Sequence, residues 1–550
     1  MAKVTEQGAQ IAHLDSTAKS NDQAISGTAK HLDETITDSA PTEVAKAQPG
    51  FAQVWKNRRV LCWCLLIYIL PINFGYEASL LGNTLATPAF LRRFGNQTPS
   101  GGYEIPTQYQ QLWYGAAMIG IFVAAFTAGF LSDMIGRRLV VYIGCVLCII
   151  GVFVQTFTTS AMVIFGGKLI STLGFGLGHA LAPVFVAEIA PDEVRGICLA
   201  LINSMIVIGG WSCSLVAYGG SFINNDWAWR MPFLTQLVPP VTMLVLAVPL
   251  LPESPSWLIM RGRREEALAA LRKFNGPDSP DIETKLAVLE EAAKQQQALA
   301  QEKSSYLDCF KGTDRRRTTI ILMAFLSQQF GGSLFISGYL AYFFTIAGVQ
   351  NPLGIAQGAN AIQLFGNICS WFLIDRVGRR PMIVYGMMIM TGTLLIIGCL
   401  AIPTGTPQTL AAMVAMMTIW GWLYQATLGA VSFAVGGETP TARLRQKTYS
   451  INIMVTTAAG AMVSQVLPYL INPTSANLGG KVAFVFFGLS LPLCFYFFFC
   501  LPEMKGRSYL ELEELFRLEV PARKFKDYKV VAVVDTSDGK SPVEVRVEGA

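Results

Sequence analysis

GFLSDMIGRR (129–138) and FLIDRVGRR (372–380) share the spacing D-x-x-G-R-R, and each closes a long apolar run. A run that crosses a bilayer as a helix needs about 20 apolar residues. The chain offers such runs at 59–80, 113–132, 139–158, 161–186, 197–219, 231–251, 318–346, 356–374, 381–402, 408–436, 449–470 and 481–501. The shared signature ends the second run and the eighth, the same place in each set of six, so it is an internal repeat left by duplication. Its chemistry is that of a tight turn: the glycine lets two helices approach closely, while the acid and the arginines can pair with helix ends and with a neighbouring bundle. The fold class expected is an all-α polytopic membrane protein with twelve transmembrane helices in two pseudo-symmetric six-helix bundles.

Bulk composition agrees. Of 550 residues, 52% are hydrophobic and 14% charged, with a mean hydropathy of +0.42. Soluble domains carry about 25% charged residues. The net charge of +5 is spread over short loops rather than gathered in a patch, which excludes nucleic acid as a partner and leaves charge as a topology signal. Alternate loops hold Arg137 and Arg138, then Arg195, then Arg376, Arg379 and Arg380, then Arg443, Arg445 and Lys447. The loops between are poorer, with Arg92 and Arg93 in the first and Arg230 and Lys481 at helix boundaries. By the positive-inside rule the first set, and both termini, are cytoplasmic. Nearly all eleven cysteines fall in apolar runs, where they serve as small packing residues.

The domain plan follows: a disordered cytoplasmic tail at 1–57, a bundle at 58–252, a cytoplasmic connector at 253–317, a second bundle at 318–502 and a cytoplasmic tail at 503–550. Residues 1–50 have no basic segment leading into an apolar core, so they do not read as a cleaved signal. RREEALAALRKF (263–274) and DIETKLAVLEEAAKQQQALAQEK (281–303) have helical apolar spacing and predict two short amphipathic helices in the connector. Asn96-Gln97-Thr98 is a glycosylation sequon in the first outward loop.

Two ionisable residues interrupt the runs: Glu77 in FGYEASLLG and Lys168 in MVIFGGKLISTLGFGLG. Each costs about 2.5–3.5 kcal/mol at bilayer depth on insertion scales, so each should face a partner or a polar pathway. An acid and a base on different spans suggest that they are each other's partner. Nothing in the chain supports an enzyme. There is no phosphate-binding glycine loop followed by Lys-Ser/Thr, and no His/Cys/acid cluster with metal-ligand spacing, so no cofactor is expected.

The repeated turn resembles that of the major facilitator superfamily, and further motifs resemble its sugar porter family. They are VFVAEIAPDEVRG (184–196), LPESPSWLIMRGR (251–263), SQQFGG (327–332) and LPEMKGRSYLELEELF (501–516), in order over about residues 55–516. GYEASLLGNTLATPAFLRRFG (75–95) and GETPTARLRQKT (437–448) are most similar to fungal α-glucoside and related disaccharide permeases. The resemblance implies a monomeric plasma-membrane carrier of a mono- or disaccharide that works by alternating access, with protons as co-substrate and the lipid bilayer as its only other partner.

Residue by residue, the resemblance places Glu77 at the proton-coupling acid and Lys168 opposite it, where the family has Arg. Lysine is a point charge without the arginine fork, so the expectation is a breakable pair whose carboxylate takes a proton when the bundles rock. The alternative is a permanent structural pair in a downhill facilitator. Gln328 and Gln329, about 100° apart on one helix, offer donor and acceptor to sugar hydroxyls, and Asn203 falls at a further sugar-contacting position. The other possibility is that they are polar helix–helix contacts. Phe433 stands where the family stacks a Trp on the sugar, Thr456 where it has an amide, and Leu334, after Ser333, where it has Asn. These changes strip hydrogen-bonding capacity from the second bundle and point to a substrate poorer in hydroxyls, or to export of a small polar metabolite instead. Asp133, Arg137, Arg138, Glu188, Arg195, Asp375, Arg379, Arg380, Glu438 and Arg445 are expected at a cytoplasmic gate of interbundle charge clusters. His179, alone in its span, reads as a packing residue or a proton relay. A nutrient receptor signalling through its tails is a third reading, disfavoured by the short tail after the last motif.

Overall fold

The computed structural model describes residues 58–97, 102–276, 282–301, 305–402, 406–441, 444–507, 509–533 and 544–549. The N-terminal tail at 1–57 and part of the C-terminal tail lie outside the described residues. Among those described, helices dominate, and the strands form two hairpins: Asn96–Gln97 with Tyr103–Glu104, and Tyr528–Val533 with Glu544–Gly549. The described spans fall into two halves of six each.

Among the described residues, eight helices are long and apolar enough to cross a membrane: Arg58–Leu85, Thr107–Ile135, Arg137–Phe157, Ala161–Ile189, Leu201–Gly220, Arg379–Leu400, Lys447–Ile471 and Gly479–Cys500. Pro352–Val377 forms the eighth span in one piece. The other three runs are broken, each for a local reason. The sixth divides into Trp227–Thr235 and Val238–Leu250 just before Pro239 and Pro240, where proline removes backbone donors. The tenth divides into Pro407–Ala426 and Leu428–Glu438 at Thr427, whose φ and ψ are −121° and −86°. The seventh is the most interrupted: Gly312–Phe330, one π-helical turn at Leu334–Gly338, then Leu340–Ile346. Gly332 supplies the break with φ +92°, a backbone state costly to residues with a Cβ. A continuous seventh span, the expectation from hydropathy alone, is therefore corrected.

Both connector helices form, as Arg264–Asn275 and Ile282–Gln301. Ala267, Leu271, Phe274 and Leu286 bury their apolar stripe in the first half's core with Val60 and Trp257. In that half, glycines set helix spacing. A Cβ on Gly75 would overlap the backbone of Ile206, and one on Gly209 that of Ile72, so the first and fifth spans touch backbone to backbone.

Candidate functional site

Midway along the first span, the Glu77 side chain is 4% exposed, and Lys168 of the fourth span is 3% exposed beside it. Lys168 Nζ lies 2.5 Å from Glu77 Oε1. The two groups form a buried ion pair in direct contact. The other oxygen, Oε2, accepts from Gln236 Nε2 of the sixth span at 2.5 Å. Three spans thus converge on one buried carboxylate. Tyr76 fixes the neighbouring turn, its hydroxyl reaching Pro232 O at 2.9 Å and Thr235 Oγ1 at 2.7 Å. The sequence brought Glu77 and Lys168 together correctly and missed Gln236, whose only signal is one amide in the apolar stretch FLTQLVPP (233–240).

The expected substrate residues are distributed over both halves. Gln328 Oε1 accepts from Tyr424 at 3.2 Å, while its Nε2 is buried without a partner. Gln329 lies against Gly460 of the eleventh span. Asn203 buries an Nδ2 with no partner. Thr456 reaches only Asn452 one turn back, at 3.5 Å. Phe433 is 41% exposed and meets Phe325 edge-on, centroids 5.3 Å apart. Among the described residues no hydrogen bond joins Asn203, Thr456 or Phe433 to the glutamine pair. Sequence reasoning also missed the eighth span's amides. Asn367 accepts from Ser204 at 2.6 Å across the two halves, and Gln363 is within 3.4 Å of Ser337; each leaves its amide nitrogen buried and unpartnered.

At the end that carries the repeated turns, the two halves are built alike. Gly136 and Gly378 take φ +97° and +102°. Glu253 accepts from the amides of Arg137 and Arg138 at 3.0 and 3.1 Å, and Glu503 from those of Arg379 and Arg380 at 3.0 and 3.2 Å. Each carboxylate satisfies the orphan donors at a helix N-terminus. Arg137 then pairs with Glu188 at 3.2 Å and Asp133 at 3.0 Å, and Arg379 with Glu438 at 2.9 Å. Arg138 reaches Tyr142 at 2.5 Å and Arg380 the carbonyl of Phe498 at 3.0 Å. These ion pairs, among the described residues, run within each half, because each arginine begins a helix packed beside its own acid. The side chains of Arg195, Asp375 and Arg445 lie outside the described residues. Glu253 and Glu503 were visible in LPESP and LPEMK but had no role until the fold placed them.

At the opposite end the halves are fastened together. Asn472 Oδ1 accepts from Gln110 at 3.3 Å and Tyr342 at 3.0 Å, and Thr107 and Ser475 are 2.8 Å apart. Gln111 and Gln465 exchange amide donors to each other's backbone at 2.7 and 2.9 Å. Tyr114 and Tyr339 stack with centroids 5.0 Å apart. Asn96 is exposed on its short strand, while Thr98 of the sequon lies outside the described residues.

Known proteins place this architecture. The chain is 27% identical over 478 residues to the general alpha-glucoside permease of Saccharomyces cerevisiae, 86% of this chain and 77% of that one. It is 26% identical to the MFS transporter fmqE of Aspergillus fumigatus, covering 87% and 90%. Among solved structures, the inward-open xylose transporter XylE of E. coli superposes with a TM-score of 0.67 at 20% identity, over 83% of this chain and 99% of that one. The sequence model of the family described as "Sugar (and other) transporter" matches residues 63–516. The chain is a membrane transporter of the major facilitator superfamily and belongs to its sugar transporter family.

Proposed function

We propose that the chain moves a mono- or disaccharide across the membrane by alternating access, coupled to protons at Glu77. The observation that carries this reading is the buried triad of Glu77, Lys168 and Gln236. Lys168 is the charge partner of the carboxylate, so a rearrangement that draws the fourth span away from the first leaves Glu77 without its cation. A buried carboxylate left unpaired costs several kcal/mol, and uptake of a proton relieves that cost. Protonation and rocking of the halves are then one event, with Gln236 able to serve either state because its amide both donates and accepts. The proposal includes Gln328, Gln329, Asn203, Phe433 and Thr456 as substrate contacts and the charged turn-end residues as a gate. It also includes a monomeric protein with cytoplasmic termini in the plasma membrane and a glycan on Asn96. The name of the alpha-glucoside permease relative supports a disaccharide.

A second reading, export of a small polar metabolite, is favoured by one observation. Leu334 begins the π turn where a hydrogen-bonding residue would serve a sugar, and Phe433 presents no N–H. Uptake of radiolabelled maltose, sucrose and glucose into a transporter-null yeast, with and without a protonophore, tests both. Protonophore-sensitive accumulation that becomes downhill-only in Glu77→Gln supports symport. No uptake of any sugar by protein shown to reach the cell surface sinks the sugar reading.

A further inference from the structure

The fourth span carries a single histidine, His179, that the site above leaves unused. It follows Lys168 by eleven residues, three turns of helix, so both side chains leave that span on one face, ~16 Å apart along the axis. Phe74, three residues before Glu77, meets it: the rings stack with centroids 3.9 Å apart and planes 9° from parallel. Both rings keep part of their surface exposed, unlike Phe175 of the same span, which is 2% exposed. His179 Nδ1 is nevertheless buried with no hydrogen-bond partner, and so are Asn73 Oδ1 and Asn203 Nδ2.

These orphan atoms belong to one region. Tyr68 donates to Cys198 O at 2.7 Å, and Gly75 abuts Ile206. The two contacts bracket residues 68–75 of the first span and 198–206 of the fifth, and Asn73, Phe74 and Asn203 all fall within the bracket. An unmet buried polar group costs about 1–3 kcal/mol, and here the first, fourth and fifth spans each carry one, with a partly exposed ring pair joining the first and the fourth. In the second half, the tenth-span ring Phe433 has no polar atom and Leu334 no hydrogen-bonding capacity. The hydrogen bonding missing there is available here.

We infer that His179, held flat by Phe74, is a specificity-determining residue whose ring nitrogen hydrogen-bonds a hydroxyl of the transported pyranose, an inference that rests on the sugar-transport reading above. An imidazole nitrogen donates or accepts, and a hydroxyl does both, so either tautomer serves. The sugar is thereby gripped from the first half, beside Asn203.

The test is the KM for uptake of whichever sugar wild type carries, in transporter-null yeast with surface protein matched between variants. His179→Phe keeps the stack and removes the nitrogens. It should raise KM by about tenfold, the size of one lost hydrogen bond, with the maximal rate per surface copy little changed. His179→Asn restores a polar group near the same place and should bring KM back toward wild type. An unchanged KM in His179→Phe, a loss confined to maximal rate, or an Asn variant as weak as Phe would overturn the inference. If His179→Phe fails to reach the surface, His179→Ala and His179→Asn are compared by the same rule. Wild type that carries no sugar sinks the sugar reading and this inference with it. Wild type that carries sugar with a KM indifferent to residue 179 sinks this inference alone.

Discussion

At the turn end, Glu253 caps the helix after Gly136 as Glu503 caps the helix after Gly378. At mid-span the two halves part company. Glu77, Lys168 and Gln236 tie together the first, fourth and sixth spans, whereas the corresponding stretches of the second half, 318–346, 408–436 and 482–500, contain no Asp, Glu, Lys or Arg. The difference separates two kinds of constraint. A helix that starts at a tight turn leaves backbone donors unpaired wherever it occurs, so both halves solve the problem with the same residues. An interior position carries no such obligation, and there the halves have diverged toward different chemistry.

The sharpest way to break that comparison is to remove the charge that only one half has. Lys168→Ala leaves Glu77 buried without its cation and should destabilise the purified protein by about 3–5 kcal/mol, read as a fall in thermal unfolding temperature. Lys168→Met combined with Glu77→Gln should recover most of the loss. If the single variant melts like wild type, the pair is not a structural element of the first half.

The likeness of the two corners is tested next. Glu253→Ala and Glu503→Ala each remove a carboxylate that accepts from two backbone amides, and each should cost about 1.5–3 kcal/mol by the same melting assay. Equal losses support equivalence; a large loss at one corner and none at the other breaks it. Gly136→Ala and Gly378→Ala should follow at about 1–2 kcal/mol each, because both backbones sit at positive φ. A Cβ there would also come within 2.5 Å of Glu253 and 2.7 Å of Glu503.

The smallest expected effect contrasts the two ends. Asn472→Ala deletes an acceptor shared by Gln110 and Tyr342. At ~1 kcal/mol for a neutral hydrogen bond, it should raise by roughly fivefold the population open at that end. Labelling of a cysteine introduced at Thr107 reads this change. No change in labelling rate would mean that the other contacts of the seam, the Gln111 and Gln465 pair and the Tyr114–Tyr339 stack among them, hold it without Asn472.

Much of this was legible in the chain. Twelve apolar runs and a repeated turn implied the fold, because hydropathy and helix length are local properties. Charge in two apolar spans suggested that Glu77 and Lys168 are partners, and the family resemblance placed them opposite each other. Other features needed three dimensions. Gln236 is one amide among many, and only the crossing of the first and sixth spans makes it a ligand of Glu77. The breaks in the sixth, seventh and tenth spans follow from prolines, Gly332 and the backbone at Thr427, which hydropathy averages away. Spacing encodes the Asp133–Arg137 pair, four residues apart, but the partners Glu188 and Glu438 come from other helices, and only the fold sets them beside Arg137 and Arg379.

Both oxygens of the Glu77 carboxylate are bound by spans of its own half. On the proton-coupled reading proposed above, the switch is self-contained, because both of these contacts come from residues before 253. A chimera that exchanges the second half for that of a relative would then keep the Glu77 site whole, together with the proposed contacts at His179 and Asn203, and would change only those proposed at Gln328, Gln329, Phe433 and Thr456. On the proposed reading such a chimera inherits its coupling from one parent and its cargo preference from both.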